Sequence, residues 1–228
     1  MTGRKKRNGP AALQGGWPNS GAWVSKLQGS RPGIPANIAL MYPTKAGNWG
    51  LPYDGGFIGR AHSPMNLVQK NPNAKAQNLE LHGISLDRLQ DRSKLRNAID
   101  NFRRSVDATG QMEGLNIYNR QALGILSRSK LMNALDLSKE DPKVAERYGV
   151  NDPKLTYGEG APKMVRNLLV ALRLVEAGAR VVSLNFSRWD WHHANFKQGR
   201  TEFPMLDRAA AALVRDLHER GLDKEVSV

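Results

Sequence analysis

Residues 187–196 read SRWDWHHANF, which places one carboxylate (Asp190) and two imidazoles (His192, His193) within four positions, interleaved with Trp189 and Trp191. The chain has only five histidines and five tryptophans, so the clustering is a feature to explain. Aspartate oxygen and neutral imidazole nitrogen are ordinary ligands for zinc, manganese or a similar divalent ion. On an extended backbone, residues two apart project to the same side, so Asp190 and His192 converge while His193 turns away. A ligating imidazole usually donates its second N–H to a carbonyl or carboxylate, and Asn195 or a loop carbonyl is close in sequence. Two ligands fall short of the three or four that zinc takes. An aromatic corner, with both indoles packed on a sheet and the polar groups solvated, accounts for the same residues. The residues alone leave both readings open.

Other chemistry is thinner. His218 lies among charged residues in a helical stretch and reads as surface, whereas His62 and His82 sit near glycines in loops, as distant partners or as nothing. No G-x-S-x-G nucleophile turn and no P-loop occurs, and the glycines of GGFIG lack the strand-to-helix setting of a dinucleotide fingerprint. No catalytic residue is assigned.

The elements that must position the loop follow from the apolar pattern. APKMVRNLLVALRLVEAGA predicts one helix, with Pro162 near its start and Gly178 at its C-terminal cap. RVVSLNF is a short β-branched apolar run, typical of a buried strand, and the loop leaves its end. FPMLDRAAAALVRDLHERG is an amphipathic helix ending at Gly221, and DKEVSV is expected to begin a further strand. Helix, strand, loop, helix, strand is an α/β alternation and implies a mostly parallel sheet. In such sheets ligands sit at the carboxyl ends of the strands, which is where this loop stands.

Upstream, residues 1–78 are rich in Gly, Pro and Asn, which excludes long helices and predicts an irregular segment wrapping a core. One apolar run within it, Ile38 to Tyr42, is a candidate strand. From Ser85 apolar residues recur at helical spacing (Leu86, Leu89, Leu95, Ile99, Phe102), and a second helical stretch runs from about Glu113 to Leu135. SKEDPKVAERYG then predicts a short helix with Pro142 in its first turn and Gly149 after its end. The expected organisation is a single α/β domain over 1–228: an irregular wrap (1–84), a helical block (85–160) and a helix-strand-loop-helix-strand core (161–228).

With 34 Lys and Arg against 21 Asp and Glu, the formal charge is +13. The basic residues are interleaved with acids, as in 87–104 and 139–147, and only Arg4 to Arg7 form a run, which disfavours a nucleic-acid binder. No apolar run approaches the roughly 20 residues of a membrane helix. Cysteine is absent, which removes disulfides and thiolate chemistry but leaves the compartment open.

The ordered series GGWPNSGAWVSKLQG, GGFIGRAHSP, GISLDRLQDR, ALDLSKED, LVEAGARVVSLNFSRWDWHHANF and MLDRAAAALVRDLHERGLDKEVSV resembles the domain-of-unknown-function family fifteen-oh-one across essentially the whole chain. That family is placed in the alkaline-phosphatase/sulfatase-like superfamily. The resemblance implies a partial sheet of that kind with flanking helices. It also implies a divalent metal of the zinc, calcium or manganese type, bound in part by Asp190 and His192. The superfamily's usual spacing has three residues between such a pair where this chain has one, so the match is to a loop position. The implied chemistry is metal-assisted hydrolysis of a phosphate or sulfate ester, the substrate being a small-molecule or carbohydrate ester. A non-catalytic structural or surface-binding relative is the alternative. Relatives often carry an export signal, so the resemblance implies an exported or periplasmic protein. Thr2 to Arg4 resemble the end of the helix that follows the superfamily's nucleophile loop, and further ligands are expected after Val228. By resemblance the chain is therefore expected to be a fragment, inactive alone.

Overall fold

The computed structural model describes residues 17–42, 55–67, 130–154, 160–189 and 191–228. The helices expected over 85–129, together with His82, Thr2 to Arg4 and Asp190, lie outside the described residues. The described elements are, in chain order, helix α1 (Ser20–Gln28), strand β1 (Asn37–Leu40), two short 3-10 turns (Gly56–Ile58 and Arg60–His62) and strand β2 (Met65–Asn66). Helix α2 (Lys130–Leu135), a 3-10 turn (Leu137–Lys139) and helix α3 (Pro142–Arg147) follow. Helix α4 (Asn167–Ala177), strand β3 (Val181–Leu184) and helix α5 (Asn195–Glu219) complete the set.

The three strands pair in the order β2-β1-β3, and both pairings are parallel, as the α/β alternation predicts. Register is set by Ile38 opposite Val182 and Leu40 opposite Leu184 on one side, and by Ile38 opposite Met65 on the other. β1 is buried throughout, which suits the central strand of a covered parallel sheet. Its alternate residues part to two layers. Ile38 and Leu40 pack with Leu131, Val170 and Leu174 of α2 and α4. On the other face Asn37 lies against Gly21 of α1, so closely that a Cβ on Gly21 would stand 2.6 Å from its Oδ1. Glycine at 21 is thus what lets α1 approach the sheet.

α4 is apolar around most of its circumference because two clusters need it. Val170 and Leu174 join the sheet, while Leu168, Leu169 and Leu172 pack with Tyr148 of the segment after α3 and with Ala209, Leu213 and Leu217 of α5. Gly178 ends it as predicted, at φ +118°, with its N–H donating to Leu174 and Val175 carbonyls. Arg173 staples α2 to α4: it donates to the Ala134, Asn133 and Asp136 carbonyls and pairs with Glu140 at 2.6 Å. Pro142 opens α3 and Gly149 follows it at φ +89°, both as expected.

Four expectations need correction. The first 78 residues are not only a wrap, since they supply β1, the middle of the sheet, and the nine-residue α1. α4 starts at Asn167 rather than near Pro162, because Lys163 is held in a two-way backbone bridge with Asp152 (2.9 and 3.0 Å). α5 starts at Asn195, eight residues before Phe203, and carries Pro204 inside it. Finally, DKEVSV forms no strand. The Leu222 carbonyl accepts from both Glu225 and Val226 amides at 3.0 Å, folding the segment into a turn that rests Val226 on the α3–α5 cluster.

Candidate functional site

At the carboxyl end of the sheet the ladder is prolonged by a side chain. Asn185 accepts from the Tyr42 amide through Oδ1 and donates from Nδ2 to the Tyr42 carbonyl, both at 2.9 Å. An amide side chain thereby mimics one more strand residue and ties the ends of β1 and β3 together. Burial pushes the Tyr42 phenol above its usual range, the Asn167 side chain acting in the other direction. Asn167 Nδ2 itself is buried without a hydrogen bond of normal geometry among the described residues.

Phe186 is buried, and the chain then turns sharply at Ser187, whose φ of +57° is left-handed. A non-glycine residue there costs about 1 kcal/mol or more, so the surroundings must impose it. They do. The Ser187 carbonyl accepts from Ala161 N–H at 3.0 Å, and its hydroxyl is hydrogen-bonded to the Glu202 carboxylate; both side chains are buried. Gly160, at φ +81°, lies under the turn, where a Cβ would stand 2.6 Å from Cβ of Arg188. The loop closes at Ala194, also left-handed at φ +52°, which leads into α5.

Between these two bends the indoles are gathered. Trp189 stacks on Phe203 (5.6 Å between centroids, 14° between planes) and contacts Phe186 and Trp191, while Trp191 also meets Phe203 at 5.7 Å. Trp189 and Trp191 therefore share one side of the loop, as residues two apart on an extended segment do. His192 and His193 are both exposed, on the short turn before α5, and the His193 carbonyl accepts from Gln198 Nε2 at 3.0 Å. Asn195, the suggested outer partner of a ligating imidazole, is exposed at the start of α5. Among the described residues no group of three or more His, Asp or Glu side chains is gathered as a metal site. The loop's Asp and His donors suit a divalent ion in chemical type and fall short in number.

The other described histidines, His62 and His218, lie apart from the loop. His62 contacts Ser25 (3.3 Å), and its carbonyl accepts from Asn37, the first residue of β1. It therefore stands at the amino end of the sheet, away from the loop; burial, aided by Lys26, lowers its pKa. His218 is on the surface as predicted and pairs with Asp223 at 3.0 Å.

The Ser187–Glu202 pair was not anticipated, although a signal for it exists. Glu202 and Asp216 lie on the same stripe of α5 as Ala209 and Leu213, and all four are buried. An acid on the apolar stripe of an amphipathic helix implies a buried partner. Asp216 has two, the Tyr148 hydroxyl at 2.8 Å and Arg147 at 2.7 Å.

The chain matches, over residues 1–228, the family described as Protein of unknown function (DUF1501), and it belongs to that family. No curated protein and no solved structure matches it. No helix among the described residues is long and apolar enough to cross a membrane.

Proposed function

We propose that this chain supplies part of a metal-dependent hydrolase of phosphate or sulfate esters, of the alkaline-phosphatase/sulfatase-like kind, with the 187–194 loop contributing to its metal centre. The observation that carries this reading is positional. A loop bearing Asp190 and His192 leaves the carboxyl end of β3 in a parallel sheet, the end at which α/β proteins bind ligands. Two left-handed residues and a four-ring aromatic cluster brace its described residues on either side of Asp190. Rigid support of this kind is what a ligand-bearing loop requires.

Asp190 and His192 would hold the ion in part, and the remaining donors must come from outside the described residues. Such an ion, when bound, polarises the ester and stabilises the leaving oxygen. The chain's own contribution is orientation: the Ser187 turn sets the loop's departure from β3, and the stacked indoles hold one side of it, leaving the alternate positions to the ligands. A nucleic-acid role is disfavoured by the pairing of basic residues among those described. Arg147, Arg173, Arg215, Arg220 and Lys163 are all paired with carboxylates.

The test is metal content. In the full-length protein, Asp190→Ala and His192→Ala are expected to lower zinc or manganese occupancy by elemental analysis and to lower hydrolysis of p-nitrophenyl phosphate or sulfate, with melting temperature nearly unchanged. His193→Ala is expected to keep its metal. Equal metal content in wild type and all three variants refutes the assignment.

A further inference from the structure

We propose that the cleft on the first half of α5 is a sugar-binding site, a platform for the apolar face of a pyranose ring, with Arg200 supplying a cation for an anionic substituent. Its assignment as the sugar-binding part of an ester substrate's site rests on the hydrolase reading; the sugar site itself stands on the cleft alone.

The cleft is shallow and open, with a volume of about 660 Å³, room for one or two sugar rings laid on its surface. Its floor is aromatic: Trp191, Phe196 and Phe203, with Pro204 beside them. Phe196 is 86% exposed and Phe203 54%. These two lie seven residues apart, with Arg200 and Asp207 on the same face of the helix. Large exposed rings grouped beside a candidate active-site loop are not what a solvated surface selects, and such patches mark binding sites.

The arrangement of the rings narrows the ligand. Trp191, Trp189 and Phe203 touch one another, with centroids 5.5 to 5.7 Å apart. Gly199 permits this closeness, since a Cβ there would stand 2.7 Å from the Phe203 ring. No slot remains between the rings for a flat arene to enter, so a ligand must lie across their outer faces. A pyranose suits that geometry, because its axial C–H groups form an apolar face and its hydroxyls point outward at the rim.

The polar groups agree. Asn195, Arg200 and Asp207 line the same cleft and offer both donors and acceptors in planar groups, which match vicinal hydroxyls. A purely apolar occupant, such as the greasy face of a partner helix, would leave Arg200 and Asp207 desolvated in the middle of the stripe. The position links the cleft to the loop, because Trp191, which lines it, directly precedes His192.

The experiment titrates the whole chain, stripped of metal with EDTA, with glucose, glucose 6-sulfate and adenosine, followed by calorimetry and tryptophan fluorescence. Saturable binding of both sugars is expected, with glucose 6-sulfate the tighter. Phe196→Ala, a change at an exposed position, is expected to weaken both sugars roughly fivefold. Arg200→Gln is expected to weaken glucose 6-sulfate about threefold and to leave glucose unchanged. Absence of saturable sugar binding, sugar binding indifferent to both variants, or adenosine bound in preference to either sugar overturns the proposal. Sugar binding by a protein that never retains metal leaves this site standing and removes the hydrolase reading. Ester hydrolysis without sugar binding does the reverse.

Discussion

Residues 208–219 of α5 bury Ala209, Ala212, Leu213, Asp216 and Leu217, whereas residues 195–207 of the same helix bury only Gly199 and Glu202. The later half is part of the core: its leucines meet α4, and its acids are bound by Arg147 and Tyr148. The earlier half is held by the buried Ser187–Glu202 hydrogen bond, by the ring contacts of Phe203 and, near its end, by Met205 and Leu206 resting on the core cluster. One continuous helix thus carries an anchor and an outrigger. The anchor fixes the axis, and the outrigger presents side chains beside the Asp190 loop without having to hold the fold together. If that division is right, substitutions in the two halves must have different readouts: stability in one, binding in the other.

The largest effect is expected at the anchor. Asp216 is 1% exposed and neutralises Arg147 while accepting from the Tyr148 hydroxyl, itself fully buried. Asp216→Ala strands the buried Tyr148 hydroxyl and leaves Arg147 with Glu219 alone, and is expected to cost about 3 kcal/mol in chemical denaturation. Phe196→Ala in the other half is expected to stay within about 0.5 kcal/mol of wild type. Comparable losses for the two would erase the distinction between the halves.

A smaller effect belongs to the joint between β3 and the loop. Gly160 combines a left-handed φ of +81° with contact against Ser187 and Arg188, so Gly160→Ala must strain its own backbone and push the Ser187 turn. The expected loss is about 2 kcal/mol. Because the turn aims the loop, metal occupancy is expected to fall as well, which separates this variant from Asp216→Ala. A Gly160→Ala protein with unchanged stability and metal content would mean that the turn does not set the loop.

What the sequence made legible follows the same division. The anchor is written in local signals: the leucine spacing of α5, the apolar run of β3, the Gly178 and Gly149 stops and Pro142 at the start of α3 are each short-range consequences of backbone chemistry. β1 was legible as an apolar run but not as the central strand, because its pairing with β3 spans some 140 positions and no local pattern encodes that. The early start of α5 was hidden by Pro204, which reads locally as a first-turn residue although the helix runs through it. The DKEVSV turn was hidden by Val226 and Val228, whose β-branched pattern suggested a strand that the Leu222 carbonyl forestalls by capturing two amides. At the site, the Asp190–His192 loop was conspicuous by composition. The cleft was not, since Phe196 was expected in the loop, and only the early start of α5 places it on one face with Phe203.

The smallest effect is a pH dependence that acts on the anchor alone. Burial by itself would raise the Glu140 pKa, but the Arg173 and Arg220 guanidiniums, at 2.6 and 3.2 Å, outweigh it and hold the carboxyl below its ordinary value of 4.5. A carboxylate with a depressed folded-state pKa binds protons more readily in the unfolded chain. Its stabilisation is therefore complete above about pH 4.5 and is lost as the pH falls through the lower folded-state value. Arg220 directly follows α5, so protonating Glu140 loosens the end of the anchor, while residues 195–207 have no contact with this pair among the hydrogen bonds and ion pairs described. Glu140→Gln, which mimics the protonated side chain, is expected to melt a few degrees below wild type at pH 7 and to converge with it as the pH drops below 4.5. Phe196→Ala is expected to track wild type through the same range. Parallel curves for wild type and Glu140→Gln from pH 7 to pH 3 would show that the Glu140 pair contributes nothing to the acid limb and would leave the anchor resting on Asp216 and its leucines.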